Sequence, residues 1–241
     1  MTDIKIAGLT VSVDNRYPYL AALAADYLAP PGSPPDITVR VGDGEIKKEA
    51  DLTPGLPPGY YESVCAYRQI AERLPDYGAV VFHGSVVVLD GVAYAFTAKS
   101  GTGKTTHTRL WLSEFPGCFV LNGDKPVLRF IGDRLFACGT PWRGKENYGI
   151  PGEYPLGGIA FLRRGAENKA EPLLPQDAVQ DLLCQIFMPD TPGAMLGTLA
   201  LADRILKATR LVRLYCNMEP GAAHTARAAL AGDTGREEVE K

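Results

Sequence analysis

Ile4-Lys5-Ile6 and Leu9-Thr10-Val11-Ser12-Val13 alternate apolar with polar residues, the period at which a strand buries one face, and they predict two opening strands. Tyr17 to Leu28 reads as a short apolar helix. The proline-rich stretch Ala29 to Asp36 suits neither element and predicts a loop before a strand at Ile37–Val41. A second breaker, Asp51 to Gly59, precedes a helix from about Tyr60 to Leu74. From Gly78 the pattern changes to dense β-branched residues, Ala79 to Leu89 and Val92 to Thr97, with Asp90-Gly91 between them. Asp-Gly between two such runs predicts a hairpin, because glycine tolerates the positive φ of a type I′ turn.

Further along, a helix is expected over Thr105–Phe115 and a strand over Cys118–Leu121. A second hairpin follows, Val127–Ile131 with Arg134–Cys138 across Gly132-Asp133, and then a glycine-rich loop from Gly139 to Gly152. The remainder reads as a strand near Gly158–Leu162, helices near Asp177–Phe187 and Leu199–Thr209, a strand at Leu211–Tyr215 and a helix over Gly221–Ala231. The fold class is therefore mixed α/β. A small α+β part over 1–77, which shares a core or stands apart, precedes a β-rich domain over 78–234 and a charged tail over 235–241.

Composition narrows the function. The chain has 241 residues, 46% of them apolar, which suffices for one substantial core. A net charge of −3 gives no general attraction to nucleic acid, which is bound by clustered Lys and Arg. The longest apolar stretch, Ala79 to Ala98, is broken by His83 and Asp90 and cannot span a membrane, and the first residues lack an apolar signal core. These features lead us to expect a cytoplasmic protein without nucleic-acid or membrane partners. Five scattered cysteines without a Cys-x-x-Cys pair are expected to be reduced thiols, mostly buried.

The chemistry centres on Ala98-Lys-Ser-Gly-Thr-Gly-Lys-Thr-Thr106, between a predicted strand and a predicted helix. Glycines let backbone N–H groups turn towards a phosphate while the helix presents its positive dipole end. In that frame Ser100, Gly101, Thr102, Gly103, Lys104, Thr105 and Thr106 are the nucleotide-binding candidates. Lys104 reaches β and γ oxygens, and the Thr105 hydroxyl ligates Mg2+. A phosphoryl-transfer site also needs a carboxylate for the metal or the acceptor proton. Asp124, following the strand in Asn122-Gly-Asp-Lys-Pro126, is the candidate. His83 falls in the run that pairs with the strand feeding the loop and is a candidate beside the γ-phosphate. His107 reads as structural, and His224 has no evident partner. Thr140-Pro-Trp-Arg-Gly-Lys-Glu-Asn147 places Arg143, Lys145 and Glu146 in a glycine-containing loop of the kind that closes over phosphates.

Ser100 to Thr106, preceded by His83-Gly84 and followed 20 residues after Lys104 by Asp124, resembles the superfamily of HPr serine kinase/phosphorylase and ATP-dependent phosphoenolpyruvate carboxykinase. Tyr61-Glu-Ser with Tyr67-Arg68, Thr106-His-Thr-Arg-Leu-Trp111, Gly139-Thr-Pro-Trp142 with Gly144-Lys-Glu146, and Cys216-Asn-Met-Glu-Pro220 are similar to bacterial HPr-kinase-like, or serine-kinase-like, proteins. The resemblance spans nearly the whole chain. It implies a phosphate-loop core of that type, ATP and Mg2+ as cofactors, and an aspartate that activates the hydroxyl of a protein, peptide or small-molecule acceptor. Lys104, Thr105 and His83 match working positions of the superfamily.

Two departures stand out. Ala98 replaces the first loop glycine, and Gly123-Asp124 replaces a pair of adjacent aspartates, so one carboxylate serves two roles or one role is lost. The expected function is a kinase acting on a serine-type hydroxyl; the alternative is a nucleotide-binding sensor with weakened or lost chemistry. No segment matches the one that supports phosphorolysis, and the chain has little room for carboxykinase substrate apparatus.

Overall fold

A computed structural model describes residues 1–99 and 101–231. Ser100 of the phosphate loop and the charged tail at 235–241 lie outside the described residues.

The chain opens with the antiparallel pair β1 (Thr2–Ile6) and β2 (Leu9–Asp14). The expected helix at Tyr17–Leu28 is shorter, α1 (Tyr19–Leu23) followed by one tight turn at Ala25–Tyr27. β3 (Ile37–Arg40) adds to β2 in parallel. Next comes α2 (Asp43–Leu52), absent from the sequence reading because its charged segment buries only Ile46 and Glu49. α3 (Pro58–Arg73) starts on a proline, whose fixed φ suits a first helical turn, and packs across this three-stranded sheet.

The second sheet has nine strands and mixes parallel with antiparallel pairs. Ala79 to Leu89, read as one strand, is two: β4 (Ala79–Val81) and β5 (Ser85–Leu89), separated at Phe82-His83-Gly84. β5 and β6 (Val92–Thr97) form the expected hairpin, with φ of 52° at Asp90 and 76° at Gly91. The phosphate loop leads from β6 into α4 (Lys104–Glu114), and β7 (Phe119–Asn122) returns beside β5. The second expected hairpin is β8 (Val127–Ile131) with β9 (Arg134–Cys138).

β10 (Glu153–Arg164) is much longer than expected and acts as the junction of the sheet. Its first residues pair antiparallel with β9, and its second half runs parallel to β6. β11 (Lys169–Pro172), α5 (Pro175–Leu183), α6 (Pro192–Ala208), β12 (Arg210–Cys216) and α7 (Gly221–Ala231) complete the chain, with β12 parallel to β10.

Alternation along the strands sorts the core into layers. Val86, Val88, Ile159 and Phe161 face a cluster shared with α5 and α6, while Val87, Phe96, Ala160 and Leu162 face one shared with α4 and α7. Both faces are covered, which is why these strands read as unbroken apolar runs. A third cluster joins Ile4, Val11, Ile70 and Leu74 of the first 77 residues to Val81 and Val127 of the large sheet. All five cysteines are free; Cys65 and Cys138 are buried and Cys184 is exposed. No helix among the described residues is long and apolar enough to cross a membrane.

Candidate functional site

β6, β10 and β12 run parallel and end on the same side, and the phosphate loop springs from the end of β6. Two loop positions require glycine, because φ is +75° at Gly101 and +117° at Gly103, and a side chain on either would extend into open space. Thr102 N–H donates to the Lys99 carbonyl at 3.2 Å, closing a turn. Lys104 opens α4, and its Nζ donates back to the Ala98 carbonyl at 3.2 Å. Burial, with Lys125 nearby, lowers the Lys104 pKa, and Asp124 opposes that shift. Thr105 and Thr106 are partly buried in the first turn of α4. One turn on, Thr108 Oγ1 lies 2.8 Å from Ser85 Oγ, so a buried hydroxyl pair pins α4 to β5.

Asp124 is presented by Asn122, a fully buried amide at the end of β7. The Asn122 side-chain oxygen accepts from the N–H groups of Asp124 at 2.9 Å and Lys125 at 2.8 Å, and its Nδ2 donates to the Thr140 carbonyl at 3.0 Å. This Asx turn fixes the backbone on which Asp124 projects. His83 is in the break between β4 and β5, not inside a strand. Its N–H donates to the Gln185 carbonyl and Gly84 N–H donates to the Asp124 carbonyl, which holds the two segments together. His83 Nε2 lies 3.3 Å from Asp124 Oδ1, and Lys125 Nζ lies 3.8 Å from the same oxygen. Burial alone would raise the Asp124 pKa. The His83 hydrogen bond and the charges of Lys125, His83 and Lys104 outweigh it and hold the carboxyl below its ordinary value. Asp124 is therefore an anion at neutral pH.

The first 77 residues contribute a wall. Tyr67 of α3 packs against Trp142 and Phe187 at ring-centroid distances of 5.2 and 6.1 Å. Its phenol is pushed well above the ordinary tyrosine value by burial and by the charge of Asp124. Trp142 Nε1 donates to Ser63 Oγ at 3.1 Å, so Tyr61-Glu-Ser63 and Thr140-Pro-Trp142 are stitched together.

The loop over 139–152 crosses Asp124. Gly144 has φ of +74°, and a Cβ there would stand 2.8 Å from Asp124 Cβ. Its neighbours point elsewhere. Arg143 reaches Asp26 at 2.7 Å and lies over the Tyr27 ring, Glu146 accepts from Arg109 of α4 at 2.8 Å, and Lys145 is exposed. The structure therefore brings His83 and Lys125 onto Asp124, with Lys104 near enough for its charge to act on that carboxylate and Thr105 beside Lys104, while the Arg143 guanidinium is committed to the N-terminal part. His107 is buried and accepts from Trp111 Nε1 at 3.1 Å, and His224 pairs with Glu114 at 3.1 Å. Asn122, Lys125 and Tyr67 as a wall escaped the sequence reading. The strand-terminal Asn two residues before Asp124 was the one local signal for an Asx turn.

The arrangement suits an anionic ligand flanked by a cation and faced by a carboxylate. Among the described residues, no group of three or more His, Cys, Asp or Glu side chains stands ready for a metal ion. Mg2+ does not require one, because it commonly takes one or two protein oxygens and completes its shell with phosphate oxygens and water. Thr105 and Asp124 fit that donor set.

No protein-family model matches this chain, and no curated protein matches it. Among solved structures, it is similar to the Hpr(Ser) kinase/phosphatase from Coxiella burnetii, with a TM-score of 0.39 and 8% identity over 64% of this chain and 99% of that one. A likeness at that level carries no argument about function, so the functional reading rests on the site.

Proposed function

We propose that the chain is an ATP- and Mg2+-dependent kinase that moves the γ-phosphate to a serine-type hydroxyl of a protein, peptide or small molecule. One observation carries this reading: Lys104 opens α4 directly behind two positive-φ glycines, and Asp124, at the end of β7, has His83 Nε2 3.3 Å from its Oδ1.

In this reading the loop cradles the triphosphate and Lys104 leaves the Ala98 carbonyl for its β and γ oxygens. Thr105 and Asp124 would hold Mg2+, which would supply charge neutralisation at the phosphate oxygens. His83 holds Asp124 Oδ1, which leaves Oδ2 to accept a hydrogen bond from the acceptor hydroxyl. As the new O–P bond forms and the bond to ADP breaks, the hydroxyl proton passes to Asp124. Tyr67 and Trp142 keep water from that side of the carboxylate.

The test is incubation with γ-labelled ATP, Mg2+ and panels of hydroxyl acceptors, beside Lys104→Ala. Label on a hydroxyl acceptor that the variant does not transfer supports the reading. Tight ATP binding with no transfer to any acceptor would leave the nucleotide sensor in its place.

A further inference from the structure

Alternation along β10 continues past its apolar residues. Ala160 and Leu162 face the layer under α4 and α7, and Arg164 is next in that row, on the side of the phosphate loop. Arg163 points to the other face, where its Nη2 donates to both carboxylate oxygens of Asp181 of α5 at 2.7 Å. The pairing of β6 with β10 ends at Thr97 and Phe161, so Arg164 stands three residues beyond, level with the loop. Its Nη2 donates to the Gly101 carbonyl at 2.7 Å.

Two cations thus rest on carbonyls of the same loop: Lys104 on Ala98 and Arg164 on Gly101. A carbonyl accepts one N–H of a cation but does not neutralise its charge, whereas a phosphate supplies both acceptor oxygens and the opposite charge. The Gly101 bond uses one of the five N–H donors of an exposed guanidinium whose planar fork matches a phosphate. Gly101 and Gly103 present no side chain beside the guanidinium, and a Cβ on either would meet no atom of the described residues within 4 Å.

We infer that Arg164 is a second phosphate-binding cation of this site, which exchanges the Gly101 carbonyl for the triphosphate when ATP binds. The inference rests on the proposed function above. It assigns to the end of β10 a role that no local motif marks. Arg163, one residue away, is committed to the opposite face and is not part of it.

The experiment is calorimetric titration of the full chain with ATP and Mg2+, comparing wild type, Lys104→Ala, Arg164→Lys and Arg164→Gln, with folding checked by thermal unfolding. Glutamine keeps a side-chain N–H donor but carries no charge, and lysine keeps the charge without the planar fork, so the pair isolates the charge. Arg164→Gln is expected to weaken ATP binding about tenfold or more, and Arg164→Lys to recover most of that loss, because a charged partner is what the triphosphate requires. Wild-type affinity in Arg164→Gln, or equal losses in Arg164→Gln and Arg164→Lys, overturns the inference and leaves the kinase reading intact. Absence of ATP binding by the wild type removes the kinase reading, and this inference with it.

Discussion

Asp124 is buried enough to favour protonation and surrounded by enough positive charge to prevent it. Replacing it with asparagine keeps its shape and removes the anion. Asp124→Asn is expected to slow phosphoryl transfer by about 10^2 to 10^4-fold, as for other general bases, while ATP affinity changes far less. Single-turnover transfer set against calorimetric binding checks both halves. His83 is one of the groups holding the Asp124 pKa down, so His83→Gln should let it rise towards the ordinary carboxylate value. Because the reaction needs the anion, the acid limb of the pH–rate profile should move to higher pH in that variant; an unmoved limb would separate His83 from Asp124 chemistry. The placement of Lys104 and Thr105 at the start of α4, and of Asp124 just after β7, was legible in the chain because strand–turn–helix patterns are local. Arg164 was not, because parallel pairing brings it to a residue 63 positions earlier, and no spacing rule encodes such a contact.

The elements around the site differ in how openly the chain declares them. The β5–β6 hairpin was clear because Asp90-Gly91 satisfies a demanding turn. The break at Phe82-His83-Gly84 was hidden, since both flanking strands are buried on both faces and the same β-branched texture resumes after it. The three N–H groups of the break reach Pro126, Gln185 and Asp124, all distant in sequence. The helix α4 couples its packing to pH through His107, 2% exposed, whose pKa burial lowers from 6.5 to about 4. Its folded value lies below its unfolded one, so the unfolded chain binds the extra proton first. The stability present above pH 6.5 is lost as pH falls towards about 4, with a full size of about 3 kcal/mol. His107→Gln retains an acceptor for Trp111 and cannot titrate. Denaturant unfolding between pH 7 and 4 should therefore show a shallower decline for that variant, by roughly the same amount.

At the scale of the whole molecule, the first 77 residues furnish part of the site. Ile70 and Leu74 share a core with Val81 and Val127, Ser63 holds Trp142, and Asp26 holds Arg143. A fragment over 78–241 would expose that core face and lose the wall at Tyr67. It is expected to unfold without a cooperative transition, whereas the full chain should melt in one step; calorimetry of the two decides this. The most direct test of the central claim is a crystal structure with a non-hydrolysable ATP analogue and Mg2+. The account predicts the triphosphate in the loop over 98–105, Lys104 released from the Ala98 carbonyl onto its oxygens, and Asp124 facing the metal or the acceptor side of the γ-phosphate. A nucleotide bound elsewhere, or a loop left empty at saturating analogue with Lys104 still on Ala98, would contradict it.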